Sequence, residues 1–399
     1  MKLYLQFGHG MMEHCRHLIQ SWNGGTVVLS PRDLEESRMQ KFADRMRDFP
    51  DTSLLFDPQL YLPRSNHETL CAYSYWPSNY STGVSWEVAN LRTLLSEIFD
   101  LNARLGSDAI ILPGLLASEV SDDWLDIQSA ILNEAAMMGV QQELYPTIAL
   151  SDAAILNTDQ ISKLLEAAES WDAPGYYLVC QHPRGEYLVN NPVWVSNILD
   201  IAAGIKLNGA KVILGYCSHQ MLISACAKVD AICSGTFLNV RSFPPEKFSR
   251  AESDPKQRST WFYCPQGLSE YKDSFLDIAH RIGVLDDLRP EEKFGGYANR
   301  LFSGPQPTTI GLKEPVAFRH YLNSLHVQAL SAEKASFDET VNCYEETLNR
   351  AEDLLSSLHQ SGIRGQQRDF RDIIDVQRAA IAALVATRGP ILRRHWSAL

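Results

Sequence analysis

Short β-branched and apolar runs alternate with longer segments of helical periodicity through the first three fifths of the chain. The runs are Lys2 to Phe7, Thr26 to Ser30, Ser53 to Asp57, Asp108 to Leu112, Pro146 to Ser151, Tyr176 to Gln181, Lys211 to Tyr216 and Asp230 to Ser234. Each is apolar and bounded by turn residues, the pattern of parallel strands covered on both faces. Between them apolar residues recur at helical spacing, as in Trp124, Ile127, Ile131 and Ala135, or Val195, Ile198, Leu199 and Ala202. Strict alternation leaves a closed barrel or an open doubly wound sheet. Eight units within about 240 residues fit the barrel, and no Gly-x-Gly-x-x-Gly turn follows the first strand, as a dinucleotide-binding open sheet would require. The spacing predicts an α/β fold: a TIM-type (β/α)8 barrel over 1–240, an irregular and helical extension over 241–315, and a C-terminal α-helical region over 316–399.

Two stretches depart from the alternation. Leu62 to Gly83 is long, but Tyr73, Tyr75, Trp76 and Tyr80 argue for an ordered loop, since disordered segments are poor in aromatics. Arg241 to Gln266, with Pro244, Pro245 and Pro255, is expected to cross the barrel mouth. From Ser269 the pattern turns helical, and Phe337 to Leu358 and Arg368 to Val385 read as an amphipathic hairpin. That hairpin is either a cap on the barrel or a surface for a partner protein. The closing Arg393, Arg394, His395 and Trp396 read as a solvated basic-aromatic tail.

Composition narrows the class. With 399 residues and 45% hydrophobic content the chain can bury a large core. A formal charge of −12 argues against nucleic-acid binding over the whole surface and leaves room only for a local basic patch. Met1 runs straight into a strand without a basic and apolar leader, and no apolar run reaches the roughly 18 residues of a membrane span. These features predict a cytoplasmic protein without a membrane partner. Eight cysteines lie scattered without a Cys-x-x-Cys pair and read as reduced core thiols. Cys264 with His280, His320 or His326 is the one set near enough in sequence to suggest zinc, and neither a metal nor another cofactor is expected.

Barrel chemistry sits at the C-terminal ends of strands. The catalytic candidates there are Asp57, His9 and His182; the ligand-binding candidates are Arg32, Gln59, Arg64, Gln181, Asn239 and Arg241. Asp57 ends the apolar run Leu54-Leu55-Phe56, so its carboxylate is either a desolvated proton-transfer group or the anchor of an Asx turn. Asp33 and Asp152 are further carboxylates in equivalent positions, and each also reads as a helix N-cap. Arg32, Arg64, Arg184 and Arg241 all fall just beyond strand ends, and as a set they suggest an anionic ligand. A His-x-His pair after the first strand, paired acids after the fourth and seventh strands, and a Gly-x-Ser-x-Gly elbow are all missing, which argues against metal-dependent amidohydrolases, many glycosidases and α/β-hydrolases.

The order of these strings resembles the tRNA-guanine transglycosylases, whose barrels exchange a guanine base through a covalent glycosyl intermediate. Thr26 to Leu34, Leu54 to Gln59, Val229 to Arg241 and the helix from Phe318 carry the resemblance. It implies a (β/α)8 barrel and places Asp57 at the family's acid/base aspartate. The family nucleophile would fall near Cys233, the base-reading aspartate near Pro113-Gly114, and the Cys-x-Cys-x-x-Cys zinc loop has no counterpart beyond Cys264. Three functions follow as expectations. One is a degenerate transglycosylase-like barrel that binds nucleic acid or a nucleotide as a subunit of a nucleic-acid-directed system, by analogy in bacterial antiviral defence. Another is an enzyme using Asp57 with His9 or His182 on a nucleoside. The last is a structural subunit that assembles with a partner protein through its C-terminal helices.

Overall fold

The computed structural model describes residues 1–249 and 259–399; Pro255 lies outside the described residues. All eight expected strands form. They are β1 (Lys2–Gln6), β2 (Gly25–Leu29), β3 (Thr52–Phe56), β4 (Ala109–Ile111) continued by β5 (Leu116–Ala117), β6 (Glu143–Tyr145) continued by β7 (Thr147–Leu150), β8 (Gly175–Cys180), β9 (Lys211–Leu214) and β10 (Ala231–Ser234). The curled parallel sheet has the order β3-β2-β1-β10-β9-β8-β7-β5. The pairing of β1 with β10, Leu3 opposite Ile232 and Leu5 opposite Ser234, joins the first strand to the last. This is a TIM-type (β/α)8 barrel followed by C-terminal helices.

The fourth and fifth barrel strands are each broken in two. Pro113-Gly114 separates β4 from β5, and Pro146 separates β6 from β7, so β4 pairs with β6 and β5 with β7 as two short ladders. A proline cannot donate to a ladder. Gly114 is required at this corner because a Cβ there would stand 2.4 Å from the carbonyl oxygen of Thr147.

Between β3 and β4 a side chain does the work of a ladder. The backbone N–H of Asp108 donates to the carbonyl of Leu54 at 3.0 Å. Its carboxylate accepts in return from the Leu54 N–H at 2.9 Å and the Ser53 hydroxyl at 2.8 Å. Asp230 repeats the device before β10, accepting from the Val212 N–H at 2.7 Å and pairing with Lys206 at 3.0 Å.

Helices Met12–Trp22, Glu36–Met46, Val88–Leu105, Asp122–Met137, Thr158–Glu169 and Pro192–Leu207 clothe the sheet. After β9 the chain makes only 3-10 turns, His219–Ala227. The helix Glu314–Ala332 packs against β1, the Met12–Trp22 helix and those 3-10 turns, covering the β1 side of the barrel from far along the chain.

The expectation of helix from Ser269 is corrected. Trp261–Cys264 (β11) and Ser269–Lys272 (β12) form an antiparallel hairpin around Pro265-Gln266-Gly267, and helix begins only at Asp273. Aromatic residues on both arms favour the extended form, a signal masked by the short length of each arm. Phe337–Gln360 and Ile374–Thr387 do pack together, and the second lies on the Pro192–Leu207 helix, where Arg388 pairs with Asp200 at 2.7 Å. Of the closing residues Arg393, Arg394 and His395 are exposed as expected, but Trp396 is not. Trp396 is buried, donates to the Lys334 carbonyl at 3.0 Å and carries the Lys228 ammonium 4.6 Å from its ring centroid. The Leu62 to Gly83 loop is ordered by Tyr73, Tyr75 and Trp76, all buried, with the Tyr75 hydroxyl on the Pro58 carbonyl at 2.9 Å. No helix among the described residues is long and apolar enough to cross a membrane.

Replacing Asp108 by Ala strands the Leu54 N–H at the β3/β4 seam. Urea denaturation of D108A is expected to show a loss of about 1–3 kcal/mol, the cost of an unsatisfied buried donor. An unchanged midpoint would mean that the seam is held elsewhere.

Candidate functional site

Asp57 lies at the end of β3 and is 1% exposed. Its Oδ2 accepts from the hydroxyls of Tyr61 at 2.8 Å and Tyr216 at 2.9 Å, with the Tyr177 hydroxyl 3.4 Å away; its Oδ1 accepts from the Gln59 N–H at 3.0 Å. The backbone contact is the Asx turn, and the hydroxyls are the desolvated polar surroundings, so both sequence readings of Asp57 describe one geometry. Burial raises its pKa to about 6; the hydroxyls and the Gln59 N–H oppose that rise. Tyr177 and Tyr216 arrive from β8 and the turn after β9, and Gly215 admits the former, since a Cβ there would lie 2.5 Å from the Tyr177 hydroxyl.

Gln59 extends the network. Its amide donates to the Ser30 hydroxyl and the Tyr216 hydroxyl, both at 2.8 Å, and its oxygen accepts from the Arg32 backbone N–H at 3.0 Å. Gln59 and Tyr216 both hold a positive φ, 54° and 57°, which costs a side-chain-bearing residue roughly 1 kcal/mol or more. Among the described residues two donors beside this network have no acceptor: the Gln6 amide nitrogen and Arg32 Nη1. The remaining guanidinium nitrogens of Arg32 bind Asp33, at 3.1 Å for Nη2, and its plane lies 4.8 Å from the Phe248 ring centroid. Asp33 therefore holds Arg32 and Ser30 and is not a cap.

The network is roofed by aromatic rings. Phe248 packs on Tyr61 at 5.1 Å and on Tyr216 at 5.9 Å, and Phe243 on the same two rings at 4.9 and 5.3 Å. The Ser65 hydroxyl donates to the Phe248 carbonyl and ties the roof to the long aromatic loop. Tyr61, Tyr177, Tyr216, Phe243 and Phe248 surround Asp57, and the strand-end strings did not single them out. The aromatic clustering after Asp57 and after Arg241 was the available signal.

The other candidates do not join this center. His182 is buried 4.9 Å from the Trp194 ring, with Nδ1 2.7 Å from the Glu186 carbonyl oxygen, and burial lowers its pKa to about 4. With Cys180, Tyr216 and Met221 it lines a cavity of only about 10 Å³. His9 is exposed and leans on Phe237 at 6.2 Å. Arg64 is exposed, 5.7 Å from the Tyr80 centroid and bonded to Thr82. Arg184 is almost fully exposed. Gln181 faces the Asp152 N–H at 3.4 Å, the helix there being capped by Ser151, and Asn239 keeps a buried oxygen without a partner among the described residues. The strand-end acids, imidazoles and arginines are thus not gathered in one place: Asp57 forms a buried center with Gln59, flanked by Arg32.

Arg241 belongs to a second buried cluster. It and Arg368 converge on Glu270 of β12 at 3.3 and 2.6 Å, while the Tyr187 hydroxyl donates to the other carboxylate oxygen at 2.7 Å. Arg241 stacks 3.4 Å from the Tyr321 centroid and Arg368 4.0 Å from that of Trp261. Burial alone would raise the Glu270 pKa, but the two guanidiniums hold it at about 2. This arginine is therefore committed to an internal carboxylate that ties the hairpin and the C-terminal region to the barrel.

Cys233, where the transglycosylase resemblance would place a nucleophile, is fully buried, and burial drives its thiol pKa well above the ordinary value. It is not poised to attack. Cys264 is buried, and His320 stacks on Phe262 with its Nε2 2.7 Å from the Tyr263 carbonyl oxygen. Among the described residues no group of three or more His, Cys, Asp or Glu is placed to hold a metal.

No protein-family model and no curated protein matches the chain. Among solved structures, the carboxyl transferase domain from Rhizobium etli pyruvate carboxylase aligns over 98% of this chain and 71% of that one, at 10% identity and a TM-score of 0.30. The same domain with pyruvate aligns over 98% and 78%, at 12% identity and a TM-score of 0.36. A likeness this distant assigns no chemistry.

The two buried carboxylates give opposite expectations. Asp57 has a folded pKa above its unfolded value, so its ionisation destabilises the fold as pH rises from about 4 through 6. D57N is expected to be more stable than wild type at pH 8 by about 1–3 kcal/mol and equal to it near pH 4; lower stability at pH 8 would show the carboxylate to be a net stabiliser. Glu270 has a depressed pKa, so its contribution is present above the unfolded value of 4.5 and lost as pH falls towards 2. E270Q is expected to cost about 3–5 kcal/mol at pH 7. In urea titrations at successive pH values its deficit should shrink below pH 4.5, and a deficit independent of pH would contradict the ionic account.

Proposed function

We propose that the C-terminal end of the barrel recognises a nucleobase, carried by a nucleotide or a nucleic acid, and that the chain serves as a subunit of a nucleic-acid-directed system, by analogy in bacterial antiviral defence. The observation that carries this reading is the convergence of Tyr61, Tyr177, Tyr216 and Gln59 on one desolvated carboxylate, with Gln59 and Tyr216 held at positive φ. Strain and a buried charge are both costly, and they persist where function needs them. The unmatched donors of Gln6 and Arg32 suit the acceptor edge of a base, and Asp57 suits its N–H groups. Tyr61, Phe243 and Phe248 offer ring faces for stacking, with Phe248 standing where the ligand ring would go.

Resemblance to the tRNA-guanine transglycosylases supports the same ligand class. Base exchange by their covalent route is not supported, because Cys233 offers no carboxylate and a suppressed thiolate. A second reading, acid/base chemistry on a nucleoside, is favoured by one observation: the Asp57 pKa near 6 suits proton transfer close to neutrality. His182 is not joined to it: its Nδ1 is taken by the Glu186 carbonyl, and among the described residues no hydrogen bond links it to Asp57.

Calorimetric titration with free purine and pyrimidine bases, nucleosides and a short single-stranded oligonucleotide tests the proposal. Binding is expected to weaken roughly tenfold or more in D57N, the scale of a hydrogen bond to a charged group. It should strengthen in F248A, where the competing internal ring is gone. Failure of every probe to bind folded F248A would reject base recognition and leave the chain as an assembly subunit. Turnover of a bound nucleoside that vanishes in D57N would establish the acid/base reading instead.

A further inference from the structure

We infer that the seam between the helices Met12–Trp22 and Glu314–Ala332 is a phosphate-binding site formed by Arg319, His14 and His17. The two helices run side by side in the same direction: His14 meets the Phe318 ring at 5.8 Å near their starts, and Trp22 stacks on His326 at 4.0 Å further along. Arg319 falls between these contacts. Among the described residues it makes no hydrogen bond or ion pair, and its Nε is buried without an acceptor. This occurs in a chain with 48 acidic and 36 basic residues, where a carboxylate partner would be easy to supply. A guanidinium nitrogen removed from water and left unpaired is costly unless an anion completes it.

The neighbouring groups are of the same kind. His14 is 8% exposed with its Nδ1 unpartnered, and His17 Nε2 lies 2.9 Å from the Tyr297 hydroxyl. Burial, and then the charge of Arg319, lower the pKa of both rings, so each stands as a neutral imidazole with an N–H to offer. The nearest acid in sequence, Glu13, is turned to Arg16 at 2.9 Å on the surface. A guanidinium and two imidazoles, with Glu13 the one carboxylate acting on His14 and itself paired to Arg16, suit a group with several acceptor oxygens and negative charge, which is phosphate. His14 lies in the first turn of the helix that follows β1, so the seam opens at the same end of the barrel as Asp57. The site stands independently of base recognition there.

The test is calorimetry of the full chain with inorganic phosphate and, separately, a short single-stranded oligonucleotide, using wild type, Arg319→Gln and His17→Gln. Binding is expected to weaken roughly tenfold or more in Arg319→Gln, whose melting temperature without phosphate should be no lower than that of wild type, and His17→Gln should weaken it in the same direction. Binding of inorganic phosphate alone identifies a site for free phosphate groups, whereas binding of the oligonucleotide alone identifies a backbone contact; both support the site. Equal affinity in wild type and the two variants, or no binding of either probe, overturns it. Base recognition at Asp57 is read separately, because D57N should leave phosphate binding intact.

Discussion

A curled sheet of short parallel strands must satisfy the backbone along its whole circumference, and in this protein the hardest place is between β3 and β4. There the regular ladder is replaced by one backbone hydrogen bond and the carboxylate of Asp108, which supplies the acceptor that a neighbouring strand would otherwise provide. The rest of the barrel depends on that closure. Asp57 stands at the end of β3 itself, and Tyr177 and Tyr216 reach it from the opposite wall only because the sheet has curled to bring β8 and β9 across from β3.

Two buried carboxylates show how partners decide the behaviour of the same chemical group. Asp57 is met by neutral hydroxyls and an amide, which stabilise its charge less than burial penalises it, and its pKa rises. Glu270 is met by two guanidiniums, and its pKa falls. The first arrangement keeps a proton within reach near neutrality; the second is an ion cluster that ties distant segments together. Their separation also explains why arginines clustered near strand ends in sequence do different work: Arg32 flanks the first center and Arg241 is consumed by the second.

Most of the barrel was legible in the chain because buried parallel strands are continuous apolar runs, and the runs ending in Asp57, Ser151 and Ser234 leave little room for another assignment. The bends at Pro113-Gly114 and Pro146 were marked by residues that break ladders, but a break within a strand and the end of a strand carry the same local signal. The hairpin Trp261–Lys272 was missed because its arms are only four residues each. Asp57 was legible as a carboxylate closing an apolar run. The tyrosines around it were not, since Tyr177 and Tyr216 look like ordinary strand residues until the barrel brings them opposite β3. His182 and Arg241 were misjudged for a related reason: position after a strand does not reveal which neighbour, Glu186 or Glu270, will claim the side chain first.

The helix Glu314–Ala332 lies against β1 and the helix that follows it, although about 300 residues separate them in the chain. During synthesis the first strand therefore waits for nearly the whole polypeptide before its outer face is covered. Contacts of such sequence separation slow folding and leave apolar surface open to association in the meantime. A cell making this protein has reason to shield its N-terminal third until the later helices have emerged, and a shortened chain that ends before them would carry an exposed flank rather than a smaller version of the same barrel.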